Sequence, residues 1–235
     1  MAELKRRDVT IDIESWGTPE NSGYDIIIPN YALVVVPDEP ETYDLEWLYV
    51  QLPIQQQIES GLKMDASALS FWFDMCAQDY PHALEEMKKS LTLSAPRIRT
   101  RNYEPLRLNS YQDLVVPDPS TIVENFISNF YRNEGKIWGN GCHFDCSILQ
   151  ANHRLLFGNS TMWKYNAPQN ARSLKDLLSE KQREEMDAIV KDYLGRFETT
   201  MRVECGITNL QLHHPLYDAA REALQVSYCR KVKNG

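Results

Sequence analysis

No uninterrupted apolar stretch in the 235 residues approaches the roughly 18 that a membrane-spanning helix needs, so no membrane association is expected. Behind the basic residues of MAELKRRDVT there is no apolar segment, and a secretion signal is not expected either. The five cysteines, Cys76, Cys142, Cys146, Cys205 and Cys229, form no C-x-x-C pair. Their odd number suits reduced thiols in a cytoplasm and argues against a structural zinc site. Positive charge is in deficit too: 25 Lys and Arg against 33 Asp and Glu leave a net charge of −8. That argues against a protein coating nucleic acid through a broadly basic surface, but leaves room for an enzyme gripping a few nucleotides through metal ions and a local patch. Repeats and low-complexity tracts are absent. What remains is ordinary globular composition, 43% hydrophobic and 25% charged, with length enough for one large domain or two small ones.

The order of periodicities points to one mixed α/β domain over residues 1–235. In DVTIDIE, Val9, Ile11 and Ile13 alternate with polar residues, which is strand periodicity. YDIIIP (24–29), YALVVVP (31–37) and EWLYVQLP (46–53) are expected as further strands. A helix over Ser67–Cys76 would place Leu69, Trp72, Phe73 and Cys76 on one face, and a short helix should follow from His82 to about Leu91. Residues 92–118 show no helical period and predict an inserted loop or hairpin. Thr121-x-x-Glu124 has the form of a capping box opening a helix with Ile122, Phe126, Ile127 and Phe130 inward. KIWGNG predicts a short buried strand and turn, then a helix from Phe144 to Phe157 closed by Gly158. A long charged helix is expected from Ser173 to about Leu194. The last helix should start near Pro215 with Leu216, Ala219, Ala220, Ala223 and Leu224 on one face.

Carboxylates stand in three notable settings. Asp12 and Glu14 project from one side of an apolar-alternating strand, where an ionised group needs either a partner or a metal. The same Asp-x-Glu spacing at Asp44/Glu46 lies in an acidic stretch and is left as surface. Asp145 follows a glycine-rich turn, GNGCHFD, where it could cap a helix or hold a metal. Asp218 sits in the first turn of an Ala-rich helix, five residues after His213; alone it is most simply a helix-terminal acid. His82, His143 and His153 have no comparable partner in sequence.

Taken in order, the motifs DIESWG, GNGCHFD and HHPLYDAA resemble those of the DEDDh exonucleases, the DnaQ-like proofreading branch of the ribonuclease H-like superfamily. The second motif is close to the form in phage exonucleases and the bacterial exoribonucleases allied to them. GLKMDASALSFWF and MWKYNAPQNARSLKDL echo further segments of that subgroup, so the resemblance spans residue 8 to about 230. Trp16 departs from the family's usual Thr, Leu or Met. The resemblance implies a ribonuclease H-like α/β fold, a mixed central sheet flanked by helices. It also implies 3′–5′ cleavage releasing nucleoside 5′-monophosphates.

Four carboxylates converging on one point repel unless cations join them, and oxygen ligands select two divalent ions, Mg²⁺ or Mn²⁺. On this reading Asp12, Glu14 and Asp218 hold the tighter ion, Asp12 bridges, Asp145 completes the set, and His213 is the general base. For substrate, Ser15 and Gly17 would approach the 3′ end, Asn140 would line the same mouth, and Trp16 would either stack on the terminal base or sit in the core. Arg97, Arg99, Arg101 and Arg107 form the expected phosphate-binding patch, or else a solvated loop. The expected substrate is a single-stranded 3′ end, DNA before RNA. The rivals are an exoribonuclease of the same fold, a non-catalytic nucleic-acid-binding protein and a metal phosphomonoesterase.

Overall fold

A computed structural model describes residues 8–101, 111–131, 135–158 and 162–234. Its centre is a seven-stranded sheet: β1 (Val9–Glu14), β2 (Asn30–Val35), β3 (Trp47–Gln51), β4 (Arg97–Arg101), β5 (Gln112–Val115), β6 (Ile137–Gly139) and β7 (Pro168–Asn170). The spatial order is β5-β4-β3-β2-β1-β6-β7. The run from β1 to β5 pairs antiparallel, whereas β6 lies parallel to β1, and β7 to β6. The helices are α1 (Pro19–Ser22), α2 (Ile54–Glu59), α3 (Ala66–Ser70), α4 (Ala77–Asp79), α5 (Pro81–Lys89), α6 (Ser120–Tyr131), α7 (Cys142–Phe157), α8 (Ala171–Lys175), α9 (Glu180–Cys205) and α10 (Pro215–Asn234). A π-helical turn, Phe71–Cys76, joins α3 to α4. This is the α/β, ribonuclease H-like architecture that the motifs imply.

Strand alternation divides the core. Val9, Ile11 and Ile13 of β1 face α6 and α7, packing with Phe126, Ile127, Ile148 and Leu149. The opposite face, carrying Ala32, Val34, Trp47 and Tyr49, is covered by α9 and α10. Asp8, Thr10, Asp12 and Glu14 therefore all point toward α10. Thr10 Oγ1 donates to Ala219 O at 2.8 Å and locks that helix to the strand. Small side chains at Ala219, Ala220 and Ala223, all fully buried, let α10 come close to the sheet. Asp8, at the other end of the stripe, is consumed structurally: it pairs with Arg230 and accepts from Trp138 Nε1 at 2.7 Å and Lys136 N at 2.9 Å.

Several expectations need correction. YDIIIP forms no strand; only Ile26 bridges, to Lys63. Its backbone is paired instead by side chains and a neighbouring loop. Ile28 N donates to Gln57 Oε1 and Gln57 Nε2 donates to Ile28 O, both at 2.8 Å, while Ile27 N reaches Lys63 O at 2.9 Å. Those bonds satisfy a fully apolar run without a ladder. The long charged helix starts at Glu180, not Ser173, because Ser179 and Gln182 form a capping box there, and it continues to Cys205. Thr121 is not a cap: the helix has already begun, and Asp118 Oδ1 accepts from Ser120 N at 2.8 Å. Phe73 faces outward because the π turn carries more residues per turn than an α-helix and rotates it off the Trp72 and Cys76 face. The stretch 92–118, expected as a loop or hairpin, needs no such change: residues 97–101 and 112–115 pair antiparallel and extend the sheet. Phe130's side chain and Arg107 lie outside the described residues. No helix among the described residues is long and apolar enough to cross a membrane, and all five cysteines are free and buried.

Candidate active site

Three elements distant in sequence meet at the C-terminal half of β1. Glu14, His213 and Asp218 each offer a ligand atom, and those atoms lie within 4.8 Å of one another. Asp12 keeps some accessible surface but lies deep among protein atoms. Burial first, then the charges of Asp218, Glu14, Asp145 and Glu222, drives its carboxyl well above the usual range. Glu14 is raised likewise, by burial and then by Asp218 and Asp145. Such mutual repulsion needs protons or cations to relieve it.

Asp145 is placed by the turn before it. Gly139 ends β6, α7 begins at Cys142, and Asp145 Oδ2 accepts weakly from Gly141 N at 3.4 Å. It is not the helix cap, which is Gly141. Burial pushes Asp145 up to about 7 against backbone N–H groups and the charge of Arg172. Asp218 is also raised by burial, although Arg221 lies 2.8 Å from its Oδ1 and His213 N donates to its Oδ2 at 2.7 Å.

His213 takes a left-handed backbone, φ 65°, unusual for a non-glycine residue, and the bond from its N–H to Asp218 helps to hold it there. Its ring lies among Tyr80, Phe71 and Trp72, with centroids at 4.7, 5.7 and 6.0 Å. His82 Nε2 lies 2.9 Å from Leu212 O and braces the same loop. Burial lowers the imidazole's pKa, with Asp218 opposing, which favours the neutral ring. His214 is different in kind. It is fully buried 5.0 Å from the Tyr49 ring, its Nδ1 accepts from Leu216 N at 3.2 Å, and burial pulls it down to about 4.

The sequence profile of the 3′–5′ exoribonuclease Rv2179c-like domain matches residues 110–230, half of the chain. The chain belongs to this family. The Rv2179c-like match covers Asp145, His213 and Asp218; Asp12 and Glu14 precede it and join the cluster through the fold. The family is one of hydrolases acting on phosphodiester bonds, and this protein is a 3′–5′ exonuclease with a nucleic-acid substrate. No curated protein and no solved structure matches the chain.

The expected substrate contacts divide. Ser15 is half-buried on the loop after β1, whose carbonyl accepts from Trp72 Nε1 at 2.9 Å. Gly17 is buried, and an added Cβ would meet Ile26 at 3.1 Å and Ser22 at 3.2 Å. Asn140 stands at the mouth beside Lys175, whose Nζ reaches its Oδ1 at 3.3 Å. Trp16 is not a stacking surface. It is 6% exposed and packs with Ile27, Ile54, Leu62 and Trp72, because the chain turns inward after Ser15.

The arginine patch is corrected as well. Arg97, Arg99 and Arg101 share one face of β4, and each is tied to an acid. Arg97 Nε donates to Asp113 at 2.7 Å, Arg99 lies 3.5 Å from the same carboxylate, and Arg101 lies 2.9 Å from Glu204 and 3.5 Å from Asp44. The cations that act on the acidic centre are others: Arg221, Arg172 and Lys175. Of these the sequence marks only Arg172, through the Arg-Ser-Leu of MWKYNAPQNARSLKDL, and it marks none of Lys175, Arg221 and Glu222. Glu222 stands four residues after Asp218, on the same face of the helix, and that spacing was the available signal.

Proposed function

We propose that the protein is a divalent-metal-dependent exoribonuclease removing nucleoside 5′-monophosphates from single-stranded 3′ ends, similar in its motifs to the phage exonucleases and their bacterial exoribonuclease kin. The convergence of Asp12, Glu14, Asp145 and Asp218 beside His213 carries this reading. RNA is preferred over the DNA expected first, because the matching family is described by its action on RNA. The four carboxylates fit hard divalent cations: they are oxygen donors, enclosed, and Asp12 and Glu14 are raised in pKa by burial and then by their neighbours' charges. Asp12, Glu14 and Asp218 would hold one ion and Asp145 would help to hold a second. When bound, such ions polarise the scissile phosphate and stabilise the charge on attacking and leaving oxygens.

The chain's own residues do the rest. His213 stays neutral near working pH because burial disfavours its cation, so its free ring nitrogen can take a proton from the attacking water. The aromatic rings around it restrict its rotation and exclude bulk water. Arg172, exposed at the start of α8, would meet the incoming phosphodiester chain. Ser15, Gly17 and Asn140 would line the mouth around the terminal nucleotide.

The test uses end-labelled single- and double-stranded RNA and DNA, each with Mg²⁺, Mn²⁺ or a chelator. Laddering from the 3′ end of single-stranded RNA, abolished by chelator and by Asp12→Asn, is expected. Equal turnover in chelator overturns the metal reading. Preference for DNA returns the substrate to the alternative of the same fold.

A further inference from the structure

Glu222 lies on α10 one helical turn beyond Asp218, on the face that packs against β1. It is 1% exposed, and among the described residues its Oε2 has no hydrogen-bond partner. An unpartnered carboxylate oxygen removed from water is costly, so its retention demands a reason. Its surroundings supply one. It acts on Asp12, and Asp145 and Asp218 act on it. Lys175, itself held by Asn140 Oδ1 at 3.3 Å and Gln225 Oε1 at 3.1 Å, lies near enough to attract it, yet no direct bond joins the two. Burial raises the Glu222 carboxyl to about 8 and lowers the Lys175 ammonium, so neither group is at ease in the metal-free protein.

We propose that Glu222 is a positioning carboxylate of the metal centre on its Asp145 side, and that Lys175 is its counter-charge. The inference rests on the two-ion reading above. Asp12, Glu14, Asp145, Asp218 and Glu222 carry five negative charges when ionised, one more than two divalent ions neutralise, and the scissile phosphate adds another. Arg221 is committed to Asp218. Lys175 is the half-buried cation left to offset Glu222, and it is fixed by two neutral amides that take no charge from it. Glu222 strengthens the field that binds cations; Lys175 limits it so that an anionic substrate still enters.

The charges of this pair have opposite signs, so the two variants should move metal affinity in opposite directions. Mn²⁺ binding to the full chain is measured by titration calorimetry, with metal-free melting followed in parallel. Glu222→Gln, which keeps shape and removes charge, should weaken Mn²⁺ binding about 10-fold while the metal-free protein stays folded. Lys175→Gln should leave Mn²⁺ binding equal or tighter and raise KM for a single-stranded oligonucleotide. A purely structural role would instead lower both melting temperatures and weaken both affinities together. Unchanged affinity in Glu222→Gln, or weakened affinity in Lys175→Gln, overturns the proposal. If Glu222→Gln does not fold, Lys175→Gln decides it by the same sign, and Glu222→Asp, which keeps the charge, should retain most of the Mn²⁺ affinity. A wild-type protein that binds no Mn²⁺ would refute the metal reading itself, a separate outcome.

Discussion

Gly139→Ala adds one methyl group at the point where β6 hands over to α7. The new Cβ would stand 2.9 Å from Asp145 Oδ2, 3.4 Å from Asp145 Cβ and 3.3 Å from Cys142 Cα. Ordinary contact between such atoms lies near 3.5 Å, so the carboxylate oxygen must retreat by roughly half an ångström. Cys142 cannot yield easily, since its backbone opens α7. The cheapest response is rotation of Asp145, which breaks its long bond from Gly141 N and carries the carboxylate off the metal centre. The overpacking should cost about 1–3 kcal/mol of stability, leaving the protein folded. Misplacing a reacting group by up to an ångström costs on the order of 10²-fold in rate, which corresponds to about 2.7 kcal/mol in the barrier. The assay is kcat/KM on a single-stranded 3′ tail at saturating Mn²⁺, alongside a melting curve. Gly141→Ala is the matched control: its nearest new neighbour is Phe144 Cβ at 3.8 Å, an ordinary contact, so activity within about threefold of wild type is expected. A folded Gly139→Ala enzyme with the wild-type rate would refute the role given to Asp145.

His213→Ala should lower kcat by about 10²–10⁴-fold with little change in melting, as expected for loss of a general base. His214→Ala should do the reverse, losing roughly 2–3 kcal/mol of stability through a cavity beside Tyr49 while the folded fraction keeps its turnover. In the metal-free protein, Asp145 near 7 and Glu222 near 8 bind protons that the unfolded chain has already released. Stability should therefore fall as pH rises from 5 through 8, by at most about 1.4 kcal/mol per unit for each proton, and saturating Mn²⁺ should remove this slope. His153 near 3 and His214 near 4 act oppositely, since they stay neutral folded but are protonated unfolded. Below about pH 6.5 they take stability away as pH falls. A melting temperature that rises steadily from pH 7 to 8.5 without metal would contradict the buried acids. Arg172→Ala should raise KM and flatten its salt dependence, whereas Arg97→Ala with Arg99→Ala should lower the melting temperature and leave the salt slope alone.

The sequence made the catalytic candidates legible because the fold-forming signal and the chemical signal coincide there. Asp12 and Glu14 interrupt a strand, Asp145 follows a glycine turn, and Asp218 follows Pro215 at a helix start. Each is anomalous in a local pattern that is otherwise easily read. The failures share another cause. Gln57 and Asn152 replace a ladder for residues 24–29, and no local period reports a bond made across 29 positions. The arginines of β4 looked like a patch because their acids, Asp113, Asp44 and Glu204, come from three separate parts of the chain. Trp16 could be resolved only by knowing where the chain goes next. Glu222 was readable as an acid on the Asp218 face, but its burial depends on how closely three alanines let α10 approach the sheet.

The order of the parts along the chain has a consequence for synthesis. Asp12 and Glu14 emerge from the ribosome well before His213 and Asp218. The lock between Thr10 and Ala219 spans 209 positions, so it cannot form until the ribosome has passed Ala219. Until then the nascent polypeptide lacks the segment that brings His213 and Asp218 to β1. A nuclease built this way has its full acidic centre only after α10 docks on β1.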